Sequence, residues 1–189
     1  MCRLLLFCTV ICLCCACSDD RPTFVYTQPI PAANAVLTIT PPANGETIRI
    51  ETGTLSPAQL VSYAETLKGI PYLYGSTDPA KGFDCSGFIT YVFNHFHVAV
   101  PRQSLSFANV ERKIELKDAK TGDLILFTGT DSTVKEVGHM GILMVKPGQV
   151  MSFLHATSGK DWGVTETPLN SHYQHRYMHT VRIFPQNDR

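Results

Sequence analysis

The residue pattern predicts an α+β domain, with helices first and an antiparallel sheet second. Three observations carry that expectation. Ser56-Pro57-Ala58-Gln59 is a capping signal that opens an amphipathic helix. A run from Cys85 to Phe96, apolar on most sides, supplies a second, buried helix. Beyond Pro101 the chain breaks into short apolar, β-rich runs separated by turns.

The elements follow in order. Ser56 is the N-cap, Pro57 takes the first helical position and Gln59 stands three residues on, a capping box. Leu60, Val61, Ala64 and Leu67 repeat at helical spacing to Lys68, and Gly69 ends the helix. Residues 71–83 read as a loop, and the second helix follows. Strands are predicted at 123–127, 140–145 and 150–156, with a fourth at 178–184. Turns fall at 128–135 and at Pro147-Gly148. The sequence has no internal repeat.

The ends differ from this middle. Arg3, an apolar core from Leu4 to Leu13, and Ala16 directly before Cys17 read as an export signal. The core is shorter than the roughly 20 apolar residues a membrane-spanning helix needs. Ala16-Cys17-Ser18-Asp19-Asp20 resembles a bacterial lipoprotein cleavage site, with Cys14 where leucine is usual. Residues 1–16 are therefore expected to be a lipoprotein-type signal peptide, with Cys17 the lipidated first residue of the mature chain. The expected location is the cell envelope, at a membrane held through that anchor. Residues 17–55, rich in proline, read as a tether or N-terminal extension. The β-like pieces 36–39 and 47–50 suggest one hairpin packed on the domain that spans 56–189.

Composition narrows the function classes. Sixteen basic and sixteen acidic residues cancel, so no basic face invites nucleic acid. Of seven cysteines, six lie in the first seventeen residues, and the seventh is Cys85. A mature chain with so few thiols has no disulfide framework and must be stable through its own core. At 44% hydrophobic residues the chain is rich enough for one domain, and a monomer is expected.

Cys85 stands in Gly82-Phe83-Asp84-Cys85-Ser86-Gly87-Phe88, at the start of the second helix. A thiolate is the nucleophilic form, and a helix N-terminus lowers a thiol pKa from its usual value of about 8.5. The free N–H groups there can also hold an oxyanion. Gly87 allows a close backbone approach, and Asp84 and Ser86 are good capping types. Downstream, His139 lies between Gly138 and Gly141 at a strand start, and His155 near the end of the next strand. Adjacent antiparallel strands can join the two imidazoles, one as base and the other as its orienting group.

Several separate motifs then share one resemblance. Pro71-Tyr72-Leu73-Tyr74-Gly75, Asp84-Cys85-Ser86-Gly87-Phe88, Gly122-Asp123-Leu124, Gly138-His139-Met140-Gly141-Ile142 and His155-Ala156 resemble the NlpC-type cell-wall endopeptidases over roughly residues 56–185. The resemblance implies a papain-like fold, in which a helix bearing the cysteine packs on an antiparallel sheet bearing the histidines. It implies Cys85 as nucleophile, His139 as general base, His155 as the orienting residue and Tyr72 as a supporting hydroxyl. The implied reaction is hydrolysis, through a thioacyl-enzyme, of the bond between γ-D-glutamate and a diamino acid in peptidoglycan stem peptides. No cofactor or metal is called for. Asp84, Ser86, Arg102 and Trp162 are candidate substrate contacts.

The family pattern is not matched everywhere. Ser76 replaces a common glycine, Tyr74 a frequent tryptophan, and Gln103 the threonine of a proline-arginine-threonine-serine stretch; residues 128–136 lengthen the loop before His139. An acyltransferase or amidase on the same scaffold is the alternative chemistry. A non-catalytic wall-binding lipoprotein is disfavoured, because a binder has no need of a reactive thiol. Members of the family that require a free stem amine carry an additional N-terminal domain. The stretch before residue 56 is too short for one, so an open groove is expected. His172, His175 and His179 lack a cysteine or carboxylate cluster and do not read as a metal site. His95 and His97 read as helix-end residues, and Asp123 as the residue that orders a turn.

Overall fold

In the computed structural model the described residues are 36–40, 47–131 and 133–189. The expected signal peptide and Cys17 lie outside them. Among the described residues no helix is long and apolar enough to cross a membrane.

Helix α1 (Pro57–Glu65) begins with the capping box the sequence predicts: the Ser56 hydroxyl accepts from the Gln59 N–H, and the Gln59 side chain accepts from the Ser56 N–H. The helix closes at Thr66, and three turn residues precede Gly69, whose φ of 90° suits only glycine without strain. Two short strands, β1 (Thr77–Asp78) and β2 (Gly82–Phe83), pair inside the stretch expected to be a loop. Helix α2 (Cys85–His95) follows immediately.

A six-stranded sheet comes next. Its strands are β3 (Lys113–Ile114), β4 (Leu124–Thr128), β5 (Val137–Met144), β6 (Ser152–Thr157), β7 (Gly163–Pro168) and β8 (Tyr177–Val181), and helix α3 (Ser171–Arg176) precedes the last of these. The order across the sheet is β3-β8-β4-β5-β6-β7, with every pairing antiparallel. The α+β expectation holds. β7, β3 and α3 are additions that the sequence pattern did not show.

Alternation sorts the strand residues onto two faces. Leu124, Leu126, Met140, Ile142, Leu154 and Ala156 join the larger core beneath α1 and α2, with Phe83, Phe88, Val92 and Phe93. Ile125, Phe127, Leu143, Phe153 and Leu169 form a smaller core on the other face, closed by Tyr173 and Tyr177. Since β4 is buried on both faces, its period-2 signal is lost and it reads as a continuous apolar run.

The two β-like pieces before residue 55 do not pair with each other. Thr38 bridges Val100 and Ile48 bridges Val110, both in parallel, while Asn94 holds both backbone groups of Leu37 at 2.9 Å. Ile48, Ile50 and Leu55 are buried in the larger core. Each piece therefore gains more from the domain surface than a lone two-stranded hairpin offers in water.

Candidate active site

Cys85 is the first residue of α2, and the preceding loop is built to hold it there. Asp84 is the N-cap, with extended backbone, and its carboxylate accepts from the Gly87 N–H at 2.5 Å and the Gly75 N–H at 2.8 Å. The Ser76 carbonyl lies so close to Gly87 that a Cβ there would meet it at 2.0 Å, so only glycine fits. Arg102 reaches across to clamp both Asp84 oxygens, at 3.1 and 2.9 Å, and donates to the Ser86 hydroxyl at 2.9 Å. Thus three of the candidate substrate contacts, Asp84, Ser86 and Arg102, spend their polar atoms on one another at the head of α2.

The thiol is buried, and its Sγ lies 3.9 Å from the Gly138 carbonyl oxygen. The sequence predicts a thiol acidified by the helix terminus, but the structure reverses the sign. Burial and the neighbouring Asp84 charge push Cys85 up to about 11, outweighing the first-turn N–H groups and Arg102, which act the other way.

The histidines meet just past the last paired residues of β5 and β6. That pairing runs from Met144↔Ser152 to Ile142↔Leu154. Beyond it β5 stays paired with β4 and β6 with β7. His139 and His155 come together there, with His139 Nε2 2.7 Å from His155 Nδ1. Gly141 makes room: a Cβ there would stand 3.2 Å from the His155 Cβ and 2.7 Å from the Leu154 carbonyl oxygen. Nδ1 of His139 is the nitrogen left over, and Gly138, beside the thiol, is its chain neighbour.

Both rings are kept neutral. Burial, then the neighbouring His155 and the Arg176 guanidinium, hold His139 well below the ordinary histidine value. Burial and Arg176 bring His155 down to about 3. Arg176 and Tyr173 come from α3, which the sequence pattern did not reveal. The Tyr173 ring lies 6.1 Å from His139, stacked, and 5.6 Å from His155, edge on; Arg176 sits 5.5 Å from the Tyr173 centroid and donates to the Thr128 carbonyl. Thr167, on β7, lies 2.9 Å from His155 Nε2 through its hydroxyl. The sequence signals for them are weak: Asn170 is an N-cap, accepting from the Tyr173 N–H, and Val164, Thr165 and Thr167 are β-branched without alternating polarity.

Tyr72 runs beside Phe83 as an isolated bridge, with the Leu73 N–H donating to the Phe83 carbonyl at 3.0 Å. Burial and the nearby Cys85 and Asp84 push its hydroxyl up to about 12, so it is a donor and not a base at neutral pH. Trp162 is 58% exposed and meets the Tyr72 ring edge on at 5.7 Å, and Tyr74 is exposed. The remaining histidines lie elsewhere: His95 stacks on Tyr63 at 3.6 Å, while His172 and His175 bond within α3. Asp123 accepts from the Lys120 N–H at 2.8 Å, ordering the turn before β4, and pairs with the buried Arg182 at 3.0 Å.

Known proteins share this architecture. The chain is 36% identical over 84 residues to a Gamma-DL-glutamyl hydrolase of Bacillus subtilis, covering 44% of this chain and 20% of that protein. It is 35% identical over 130 residues to the probable peptidoglycan endopeptidase LytE of the same organism, covering 69% and 35%. The chain thus spans about a third or less of the length of these relatives. Among solved structures, an NlpC/P60 family protein from Bacillus cereus superposes with a TM-score of 0.61 at 25% identity, covering 71% of this chain and 42% of that one. The NlpC/P60 family model matches residues 69–183, which contain the cysteine, both histidines and every strand that positions them. With its cysteine-bearing helix laid on a histidine-bearing antiparallel sheet in the papain-like manner, this chain belongs to the NlpC/P60 family.

Proposed function

We propose that this protein is a cysteine endopeptidase of peptidoglycan, cleaving the γ-D-glutamyl–diamino acid bond of stem peptides. The observation that carries the reading is the hydrogen-bonded His139–His155 pair where β5 and β6 stop pairing, with the Cys85 thiol beside Gly138. The names of the relatives, a Gamma-DL-glutamyl hydrolase and a peptidoglycan endopeptidase, supply the substrate class.

The chemistry follows from neutral partners. As the thiol sulfur attacks the scissile carbonyl carbon, its proton passes to His139 Nδ1. The resulting oxyanion is held by N–H groups at the head of α2, and the Tyr72 hydroxyl is a further donor. Collapse of this intermediate breaks the C–N bond, and the leaving amine takes the proton from His139. Water then attacks the thioester, again with His139 as base, and frees the thiol. His155 accepts from His139 Nε2–H throughout and so steadies the imidazolium.

The envelope setting belongs to the same proposal: export, lipidation at Cys17, and a groove open enough for stems still attached to glycan. Mass spectrometry of purified stem peptides, free and glycan-linked, incubated with the protein tests the bond and the openness together. Cys85→Ala is expected to lower turnover by about a million-fold without loss of fold. Wild-type-like cleavage by that variant, or cleavage at another bond, would remove the reading. Detergent partitioning of the protein and of Cys17→Ser tests the anchor; an unmodified, fully water-soluble wild type would overturn it.

A further inference from the structure

Three polar side chains on adjacent strands form a continuous line. His139 Nε2 is 2.7 Å from His155 Nδ1, and His155 Nε2 is 2.9 Å from Thr167 Oγ1. On the β6–β7 ladder Thr167 pairs with Phe153 and His155 with Thr165, so the hydroxyl approaches the ring diagonally, two residues along the same face. His155 is fully buried, whereas Thr167 is half-buried. A buried ring nitrogen must find its partner inside the protein, and here the Thr167 hydroxyl is that partner.

The line has two self-consistent proton patterns, because a neutral imidazole has one N–H and one lone pair. In the first, His139 carries its hydrogen on Nε2 and donates to His155 Nδ1, while His155 donates from Nε2 to Thr167. His139 Nδ1 then bears a lone pair. In the second, every donor and acceptor is exchanged: Thr167 donates to His155, His155 to His139, and His139 Nδ1 carries the hydrogen. Only the first leaves His139 able to receive a proton on its free nitrogen. It also needs no rearrangement when His139 becomes doubly protonated, because the Nε2–H bond is already made.

The first pattern depends on an acceptor at the far end. Without one, a buried His155 N–H stands unsatisfied, which costs more than a buried unpaired lone pair. We propose that Thr167 is a positioning residue for the base: by accepting from His155 Nε2–H it holds both histidines in the tautomers that leave His139 Nδ1 free. This assignment rests on the proposed role of His139. Loss of the Thr167 oxygen turns the line over to the second pattern, in which the nitrogen needed as a base already carries a hydrogen.

Valine matches threonine in shape and β-branching, so Thr167→Val removes the acceptor while keeping a residue suited to β7. Serine keeps the oxygen. The test uses the full protein with ¹⁵N-labelled histidine, reading the ring nitrogens by NMR, alongside steady-state cleavage of stem peptides and thermal melts. Wild type is expected to show His155 protonated on Nε2 and His139 on Nε2. In Thr167→Val both hydrogens should move to Nδ1 and kcat should fall about tenfold, with KM changed less than about twofold, because the Thr167 hydroxyl is committed to His155. Thr167→Ser should restore the wild-type pattern and rate. Finding His155 protonated on Nδ1 in the wild type would overturn the proposal. So would a Thr167→Val protein with unchanged ring nitrogens and a kcat within about twofold of wild type. If the wild type cleaves no stem peptide at all, the substrate reading fails, while the tautomers still decide the role of Thr167.

Discussion

Cys85 and His139 both rest uncharged, and that state sets how the site works. A helix terminus acidifies a thiol when the thiol stays in contact with water. Here burial and the Asp84 charge win, leaving Cys85 near 11, while burial keeps His139 neutral well below 6.5. In the proposed mechanism activation then coincides with attack, without a thiolate–imidazolium pair formed beforehand. Alkylation of Cys85 by iodoacetamide should accordingly keep accelerating as pH rises from 7 to 9; a plateau already reached at pH 7 would show a preformed ion pair. The two histidines separate by mutation. In the proposed mechanism His139 is the proton acceptor, so His139→Ala should be nearly as damaging as losing the thiol. In the same mechanism His155 supplies an acceptor for His139 Nε2–H, which an amide oxygen can replace. His155→Asn is expected to keep partial turnover and His155→Ala much less, with melts run in parallel. A fully active His155→Ala would reduce the site to a dyad.

At the scale of elements, the head of α2 and the junction of β5 with β6 each rely on one glycine where a backbone must come close. Gly87 admits the Ser76 carbonyl against the first turn of α2, and Gly141 admits the Leu154 carbonyl and the His155 side chain. Asp84 then ties this turn to Gly75 on one side and to Arg102 on the other. A methyl group at Gly87 would have to displace backbone, since its nearest neighbour is a carbonyl oxygen and not a flexible side-chain tip. Gly87→Ala should cost about 1–3 kcal/mol, in the range of other overpacking changes. It should also shift Cys85 enough to lose most activity. The urea midpoint and the cleavage rate measure the two effects; an unchanged midpoint with full activity would mean that the loop has slack.

At the scale of the whole molecule, the same two histidines make stability depend on pH. His155 has an ordinary value of 6.5 when unfolded and about 3 when folded. Between those values the unfolded chain binds more protons than the folded one, so acid draws the equilibrium towards unfolding. The stability contributed by keeping the ring neutral is complete above pH 6.5 and declines as pH falls towards 3. His139, depressed by the same burial, adds in the same direction. The slope is at most about 1.4 kcal/mol per pH unit for each histidine. Urea midpoints should fall between pH 7 and pH 5, and His155→Asn should flatten the fall. A midpoint independent of pH over that range, or one that rises, would contradict the burial of these rings.

The sequence by itself determined what is local. The Ser56–Gln59 capping box, the start of α2 at Cys85, the strands holding His139 and His155, and the order of the motifs were all legible in it. Each depends on neighbours within a few residues: caps on a residue three positions away, strands on a run of β-branched and apolar side chains. Where long-range packing or burial sets the outcome, tertiary structure decided. The pieces at 36–40 and 47–50 bridge Val100 and Val110, not one another. β7 and α3, which supply Thr167, Tyr173 and Arg176 to the histidines, are short and weakly patterned, and they hold their shape through the sheet they cover. The direction in which the Cys85 pKa moves reversed for the same reason. A pKa is set by how much water a group keeps and which charges surround it, and only the folded chain brings burial and Asp84 to bear on the thiol at once.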